Sequence, residues 1–170
     1  YCRDLYYHNE DALPIWVLME IISFGDLIKF YRIYFFDYYK KRMPPFDYHL
    51  LVHIQNIRNA AAHNNCLIAN INRKVDENNR LSNILVSYPQ ITKSRRKKYL
   101  RKQFTQDFTV LILAYAAFVK SHGMRTAAKR ALGDLFFNRM RRHAEYFAKN
   151  DVLIDAHKYC IDILRYCFEK

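Results

Sequence analysis

Apolar side chains recur every three or four residues along most of this 170-residue chain. That spacing matches the turn of an α-helix and gives each predicted helix one apolar face. Only three Gly and four Pro interrupt it, and few breakers together with many long side chains favour helices over a turn-rich β architecture. The pattern therefore predicts an all-α helical bundle.

The first strong helix signal begins at Asp11 to Pro14, where Asp suits a cap and Pro suits a first helical turn. Helical spacing of apolar residues then runs from Ile15 to Tyr31. Trp16, two residues after the proline, is expected to anchor packing. This part of the chain is predicted to be helical throughout.

A second helix is predicted over about 47–63, with an apolar stripe that includes Leu50, Leu51 and Ile54. Asn64-Asn65 is its expected stop, because Asn tolerates the left-handed backbone conformation at helix ends. This helix carries the candidate catalytic motif.

Four further segments complete the predicted chain. Residues 72–91 are polar and mixed, which indicates a loop with at most short helical or extended pieces. A long helix is predicted over about 93–121, ended by His122-Gly123. Two more helices are expected over about 125–149 and 152–168. All of residues 1–170 are expected to form one domain.

The formal net charge is +12, from 28 Lys and Arg against 16 Asp and Glu. An excess of this size suggests a polyanionic partner, either nucleic acid or an anionic membrane surface. The longest apolar run, Val110 to Val119, is about half of the ~20 residues that a membrane span requires. The sequence therefore predicts no membrane span, and the charge leaves the kind of polyanionic partner open at this point.

Basic side chains concentrate at two places that are predicted to bind RNA phosphates. The residues are Lys93, Arg95, Arg96, Lys97, Lys98, Arg101 and Lys102, and then Arg139, Arg141 and Arg142 with the adjacent His143. Binding through such a run weakens steeply as the salt concentration rises. A run of like charges is also common on a solvated surface, and this alternative stays open.

Cysteine and histidine spacing gives no indication of a metal or cofactor. The four cysteines form neither a CxxC pair nor a zinc pattern, which predicts reduced thiols in a cytosolic protein. His49 and His53 lie four residues apart but have no third ligand nearby. The chain does not begin with Met, and Tyr1 to Tyr7 reads like the inside of an element, so a preceding segment is expected.

The motif Arg58-Asn59-Ala60-Ala61-Ala62-His63 combines a permanent cation, an amide and an imidazole. The Arg guanidinium can donate two parallel hydrogen bonds to phosphate oxygens, and an unperturbed His titrates near pH ~6.5. The pair therefore suits a ribonuclease that works without a metal. Residues five apart on a helix lie about 140° apart around its axis, so Arg58 and His63 do not share a face. Asn59 and His63 do share one. A twofold dimer axis would make it easier to bring Arg58 and His63 to one phosphate.

This motif resembles the Arg-x(4–6)-His motif of the HEPN superfamily. The surrounding chain is similar to the Abi-like family (AbiD/AbiF-type abortive-infection proteins) of that superfamily. Leu13 to Gly25 resembles the family's "LPIW…E…SFG" signature, and Ile57 to Asn70 resembles its motif segment. Many relatives carry a second His and then an Arg shortly after the motif His, where this chain has Asn64 and Cys66.

The resemblance implies a HEPN-like fold and a metal-independent endoribonuclease of bacterial phage defence, acting as a cytoplasmic homodimer with a composite site. The RNA 2′-hydroxyl would attack the adjacent phosphate and leave a cyclic phosphate and a 5′-hydroxyl. His63 is expected to serve as general base or acid and Arg58 to hold the phosphate. Asn59 is expected to orient His63 or contact the phosphate. A toxin–antitoxin-like arrangement, with an antitoxin or a regulatory RNA, is a further expectation.

Two other functions remain compatible with the sequence. A catalytically silent HEPN-type protein that holds a structured RNA would have the same charge and fold. A helix-turn-helix-like DNA binder around Met124 to Lys149 is weaker, since the segment has no convincing turn signature. Composition does not separate the ribonuclease from the silent RNA-binding protein.

Overall fold

The computed structural model describes residues 2–8, 12–38 and 46–168. The chain comprises two compact units, Tyr1–Pro44 and Pro45–Lys170. Within the described ranges the regular elements are helices, and the one extended feature is an isolated antiparallel bridge between Lys74 and Lys102. The all-α prediction is confirmed, whereas the single HEPN-like domain stays a prediction.

The first unit holds three α-helices among its described residues. They are α1 (Cys2–His8), α2 (Ile15–Ile21) and α3 (Phe24–Arg32), and the chain continues from α3 as a π-helical turn over Ile33–Tyr38. As expected, α2 begins directly after Pro14, while the candidate cap Asp11 lies outside the described residues. Trp16 is 56% exposed, so its predicted role as a packing anchor is wrong.

The uninterrupted helix expected from Ile15 to Tyr31 is also wrong, because Ser23 begins a new helix. The Ser23 hydroxyl oxygen accepts a hydrogen bond from the backbone N–H of Asp26 at 3.1 Å, and the hydroxyl donates to the Asp26 carboxylate at 2.6 Å. Lys29 adds an ion pair to Asp26 at 2.8 Å. A capped first turn of this kind outweighs an apolar pattern that continues across the break.

The second unit is built around one central helix. Its helices are α4 (Tyr48–Ala62), α5 (Asn79–Ile84), α6 (Lys93–Tyr99), α7 (Gln103–Phe118), α8 (His122–Gly133), α9 (Ala144–Phe147) and α10 (Asp151–Phe168). Helix α7 packs against both α4 and α10, and its residues Thr105 to Val110 are all buried. The predicted helices over 47–63 and 152–168 correspond closely to α4 and α10. Residues 72–91 contain only the short α5, the 3₁₀ turn Leu85–Ser87 and the bridge residue Lys74, as expected.

The long helix expected over 93–121 is wrong, because it is two helices separated at Leu100–Lys102. Between the two helices, the backbone forms hydrogen bonds with the extended segment 73–75 instead of continuing the helix. The N–H of Val75 donates to the Arg101 carbonyl, and the N–H of Gln103 donates to the Arg73 carbonyl, each at 3.0 Å. These long-range bonds form the Lys74–Lys102 bridge and turn the chain between α6 and α7.

The helix expected over 125–149 is interrupted, and His122-Gly123 does not end a helix. The Ser121 hydroxyl accepts a hydrogen bond from the backbone N–H of Met124 at 3.5 Å, so that α8 begins at His122. After α8 come a π-helical turn, Asp134–Asn138, and a 3₁₀ turn before the short α9. From His122 to Asn150 only Phe136 is buried, so little packing holds a regular helix.

Helix α4 ends in a Schellman motif. The backbone N–H of Asn64 donates to the Ala61 carbonyl at 3.1 Å, and that of Asn65 donates to the Ala60 carbonyl at 2.8 Å. Asn64 has a φ of 52°, in the left-handed region. The predicted stop is confirmed, and it fixes His63 as the last half-helical residue before the chain turns.

Among the described residues no helix is both long enough and apolar enough to cross a bilayer.

We expect Asn64→Ala to lower the free energy of unfolding by about 1 kcal/mol, because a left-handed alanine places its Cβ against the following carbonyl. Asn64→Gly should leave the stability within about 0.5 kcal/mol of the parent, since glycine adopts this conformation freely. Urea unfolding followed by far-UV circular dichroism measures both, with Asn65→Ala as the neighbouring control. Equal losses in the Ala and Gly variants would contradict the role assigned to the left-handed turn.

Candidate functional site

A cleft of about 470 Å³ opens in the second unit beside the end of α4. One wall comes from α4 and the turn after it, with Asn56, Asn59, Ala60, His63, Asn65 and Cys66. The opposite wall comes from the following segment and the first turns of α7, with Asn70, Arg73, Gln103, Phe104 and Asp107. Five of the lining side chains are amides, and the cleft also presents one imidazole, one guanidinium, one carboxylate and the apolar side chains of Ile57, Leu67 and Phe104.

The structure places two of the three candidate catalytic residues in this cleft. His63 caps α4, its side chain is exposed, and it lines the cleft together with Asn59 one turn earlier. Arg58 is not a lining residue, which agrees with the angular separation expected on a helix. The catalytic roles of these side chains stay predictions.

Arg58 is linked to the cleft through Asn59. Its Nη1 donates a hydrogen bond to Asn59 Oδ1 at 3.1 Å, which holds an exposed guanidinium next to a lining residue. Asn59 therefore pairs with Arg58, and the described residues show no hydrogen bond from its amide to His63. The imidazole of His63 is consequently open to a ligand on the cleft side.

Behind the cleft lies a buried polar network that joins α4 to α7. His53 Nδ1 and Asp107 Oδ1 are 2.5 Å apart, and both residues are less than a tenth exposed. Gln103 Nε2 donates to Asp107 Oδ2 at 2.8 Å, and Asn78 Nδ2 lies 3.3 Å from His53 Nε2. Each polar group is thus partnered, as buried polar groups must be.

The cap of α5 determines which nitrogen of His53 carries the proton. Asn78 Oδ1 accepts from the backbone N–H of Leu81 at 3.2 Å, so the amide nitrogen of Asn78 must be the atom that faces His53. That nitrogen donates, so His53 Nε2 accepts and Nδ1 carries the hydrogen given to Asp107. The imidazole of His53 therefore holds a carboxylate in the cleft wall.

The histidine pair does not form a metal site. His49 is exposed and its ring stacks on Tyr48 at a centroid distance of 3.9 Å, whereas His53 is buried against Asp107. In the ranges that the structure describes, no three His, Cys, Asp or Glu side chains are grouped closely enough to hold a metal ion.

Several cations of the run over 93–102 already have protein partners. Arg95 pairs with Asp162 and Lys98 with Asp155, each at 2.6 Å, and Arg101 lies 3.6 Å from Glu77. Arg96 donates to the backbone carbonyls of Ile91 at 2.8 Å and Leu85 at 3.5 Å. Arg96 thus stabilises the chain before α6, while the predicted binding of RNA by this run stays a prediction.

Part of the run lines a second, strongly basic groove of about 480 Å³. The lining side chains are Lys74, Ser94, Lys97, Lys98, Arg101 and Lys102. Partial burial, with repulsion from Lys98, lowers the pKa of Lys102. Lys98 and Arg101 are already paired with Asp155 and Glu77, and the group of five cations around one groove still favours an anionic ligand.

The second predicted basic group does not line this groove. Arg139, Arg141 and Arg142 are exposed at and just after a 3₁₀ turn, and His143 lies 3.4 Å from Glu145. These side chains form a separate solvated surface, and their binding of RNA also stays a prediction.

Sequence reasoning missed the wall formed by α7. Phe104 falls within the helix predicted over 93–121, where its aromatic side chain would be expected in the core, but it is only half-buried and lines the cleft. Gln103 and Asp107 lie four residues apart near the start of α7, and that polar pair on one face was the available signal. The contribution of Arg73 has no sequence signal, because it depends on the bridge to the start of α7.

Comparison with known families identifies the segment that includes α2, α3 and the motif helix. Residues 2–69 match the profile of the Abi-like protein family. This part of the chain belongs to the Abi-like family. The match covers about two-fifths of the chain and includes Arg58, Asn59 and His63. The match supports an abortive-infection-type protein. No curated protein and no solved structure matches the chain.

The Abi-like match also divides the cleft. It ends at residue 69, so the wall from α4 and His63 lies within it. Arg73 and the three α7 residues of the other wall lie beyond it. The family match therefore contains the lining residues from α4 and does not contain those from α7.

We expect a double-mutant cycle to show strong coupling between His53 and Asp107. Asp107→Ala leaves the buried His53 donor and the partly buried Gln103 donor unpaired and should lower the free energy of unfolding by about 3 kcal/mol, and His53→Ala by a similar amount. The double variant should lose less than the sum of the two, because the second change removes an already broken contact. Urea unfolding measures all four proteins. The exposed pair Lys98–Asp155 is the control cycle, with coupling expected near zero; additive losses for His53 and Asp107 would contradict the network.

Proposed function

We propose that this protein is a metal-independent endoribonuclease whose catalytic groups are His63, Arg58 and Asn59. The observation that carries the proposal is the open imidazole of His63 in a polar cleft, next to an amide that holds a guanidinium at 3.1 Å. The Abi-like match covers all three residues. A titratable group and a permanent cation are the two functions that RNA cleavage without a metal requires.

The proposed reaction is an internal transfer at one phosphate. The 2′-oxygen of the RNA forms a bond to the adjacent phosphorus, and the bond from phosphorus to the 5′-oxygen of the next nucleotide breaks. A general base takes the proton of the 2′-hydroxyl, and a general acid gives a proton to the leaving 5′-oxygen. The products are a 2′,3′-cyclic phosphate and a 5′-hydroxyl, and no redox partner is involved. His63 supplies one of the two proton transfers.

Arg58 would hold the phosphate on which negative charge builds during this transfer. Its guanidinium can donate two parallel hydrogen bonds to phosphate oxygens, and it stays protonated throughout. Asn59 orients that guanidinium through its carbonyl oxygen. Stabilisation of developing charge by a fixed donor is commonly worth about 10²–10³ in rate.

The second candidate is an RNA-binding protein without nuclease activity. The observation in its favour is the groove lined by five cations, which suits phosphates whether or not the RNA is cut. Both candidates predict salt-sensitive RNA binding. They differ only in whether binding leads to a cyclic phosphate.

We expect His63→Ala and Arg58→Ala to lower the rate of RNA cleavage by at least about 100-fold, with Mg²⁺ chelated throughout. Arg58→Lys should also lose most of the activity, because an ammonium group cannot make the paired hydrogen bonds of a guanidinium to two phosphate oxygens. The measurement is cleavage of a labelled RNA, with the cyclic phosphate identified by mass spectrometry. His49→Ala is the matched control, since His49 is exposed on the same helix but outside the cleft.

Unchanged cleavage by the His63→Ala and Arg58→Ala proteins would contradict the assignment of the site. Tight RNA binding by the parent with no cleavage product would favour the second candidate instead.

The active protein is proposed to be a homodimer with a composite site. Arg58 lies outside the cleft that His63 lines, so one chain presents the cation and the imidazole on different faces. A twofold axis beside α4 repeats both residues and would bring Arg58 of one protomer to His63 of its partner. A nuclease active on cellular RNA also needs restraint, so an antitoxin or a regulatory RNA belongs to this proposal.

We expect a mixture of the Arg58→Ala and His63→Ala proteins to regain activity. A mixed dimer with a composite site has one intact pair, so random exchange of subunits should restore about a quarter of the parent activity at equal total concentration. Cleavage by the mixture is compared with each variant alone. Recovery of nothing, in a mixture shown by native mass spectrometry to contain mixed dimers, would place both groups of each site in one chain.

A further inference from the structure

The cleft beside His63 is too rich in hydrogen-bonding groups to serve only a phosphate. Its volume of about 470 Å³ falls in the range of roughly 300–1,000 Å³ typical of small-ligand pockets. A phosphate needs donors alone, whereas the α7 wall presents the acceptors of Gln103 and Asp107. A ligand that contacts this wall must therefore carry hydrogen-bond donors, such as N–H groups.

Both acceptors are held in fixed orientations. The Gln103 amide nitrogen donates to Asp107 Oδ2 at 2.8 Å, so the carbonyl oxygen of Gln103 is the end left for a ligand. Asp107 accepts from His53 and Gln103, one bond to each oxygen, and a carboxylate has about four acceptor sites. Two acceptors on adjacent turns of one helix thus remain available to a ligand with neighbouring donors.

Phe104 supplies a flat apolar surface in the same wall. It is half-buried, and its ring is stacked on the ring of Phe108 at a centroid distance of 6.1 Å. Aromatic side chains bind unpaired bases by stacking, at about 1–3 kcal/mol for each base. A planar ligand with adjacent N–H donors matches the stacking surface and the acceptors together.

The wall between the cleft and the basic groove is a single β-bridge. Arg73 and Gln103 line the cleft, while the next residue Lys74 and the preceding residue Lys102 line the groove. The two cavities are therefore neighbours, and phosphates in the groove would continue directly into the cleft. The planar ligand of the cleft is then a base of the same polyanion.

We propose that the cleft binds an unpaired guanine base of the RNA, next to the phosphate at His63. Guanine carries adjacent N1–H and N2–H donors that fit the Gln103 carbonyl and the Asp107 carboxylate, and uracil carries only one N–H. The base must be unpaired, because pairing occupies that edge. The location of the base beside the cut rests on the proposed function, whereas the binding of guanine does not.

Binding is measured with short single-stranded oligonucleotides whose 2′-positions are methylated, so that cleavage by the 2′-hydroxyl is blocked. One probe has a single guanine among uracils, and its partners carry hypoxanthine, uracil or an abasic site at that position. We expect guanine to bind about tenfold more tightly than hypoxanthine, which lacks only the 2-amino group. The abasic probe should be weaker again, because it also loses stacking.

Cys66 gives a readout at the cleft itself. Its thiol is exposed and lines the cleft, whereas Cys160 and Cys167 are buried. The guanine probe should slow alkylation of Cys66, as read by peptide mass spectrometry, and the abasic probe should slow it much less. Protection that is equal for both probes would show that the base does not enter the cleft.

Two variants separate stacking from edge recognition. Phe104→Leu should weaken the binding of every probe that carries a base at the varied position. It should leave the binding of the abasic probe unchanged. Gln103→Met should remove most of the difference between guanine and hypoxanthine, because it keeps the length of the side chain but not its acceptor. Lys97→Gln is the matched control, since a groove cation should weaken all probes alike and reduce their salt dependence. Urea unfolding verifies that each variant is folded.

The failure of this inference and the failure of the proposed function give different results. If RNA is cut at His63 but guanine and hypoxanthine bind equally, the guanine site is wrong and the ribonuclease stands. If guanine is preferred and protects Cys66 but no RNA is cut, the base site stands in an RNA-binding protein. Absence of both cleavage and base preference would overturn both.

Discussion

The hydrogen bond between His53 and Asp107 is the contact on which the rest of the second unit depends. It joins α4 to α7 at 2.5 Å in a buried setting, and the cleft lies between the end of one helix and the start of the other. Asn78 and Gln103 complete the network, so α5 is held to the same place. A buried polar pair is costly unless every group is satisfied, and here the partners come from α4, from α7 and from the cap of α5.

The second constraint is the short bridge at Lys74 and Lys102. Without it, we expect α6 and α7 to continue as one helix. The cations of α6 and the apolar stripe of α7 would then lie on the same straight helix. The bridge turns the chain at Leu100–Lys102 and places Gln103 at the first position of α7. The basic groove and the polar cleft therefore lie on either side of one interruption between two helices.

Local signals in the sequence predicted the parts of the structure that local chemistry determines. The extent of α4, its stop at Asn64 and the apolar face of α10 follow from spacing and from the left-handed preference of Asn. The break after Tyr99 could not be predicted, because its cause is a pair of backbone bonds to residues 73–75. The cap at Ser23 was present as a local signal, but the continuing apolar pattern concealed it.

The candidate site likewise combines residues that the local sequence reveals with residues that only tertiary packing brings together. Arg58, Asn59 and His63 are recognisable because they share six residues of one helix, and the Abi-like match contains them. Gln103, Phe104 and Asp107 belong to the cleft only through tertiary packing, and they lie outside the matched residues. If the proposals hold, cleavage chemistry resides in the matched segment and base selection in the unmatched one. The two are coupled by His53, since it lies on the motif helix and fixes the carboxylate of the opposite wall. A change in target preference could then arise on α7 while the catalytic motif stays intact.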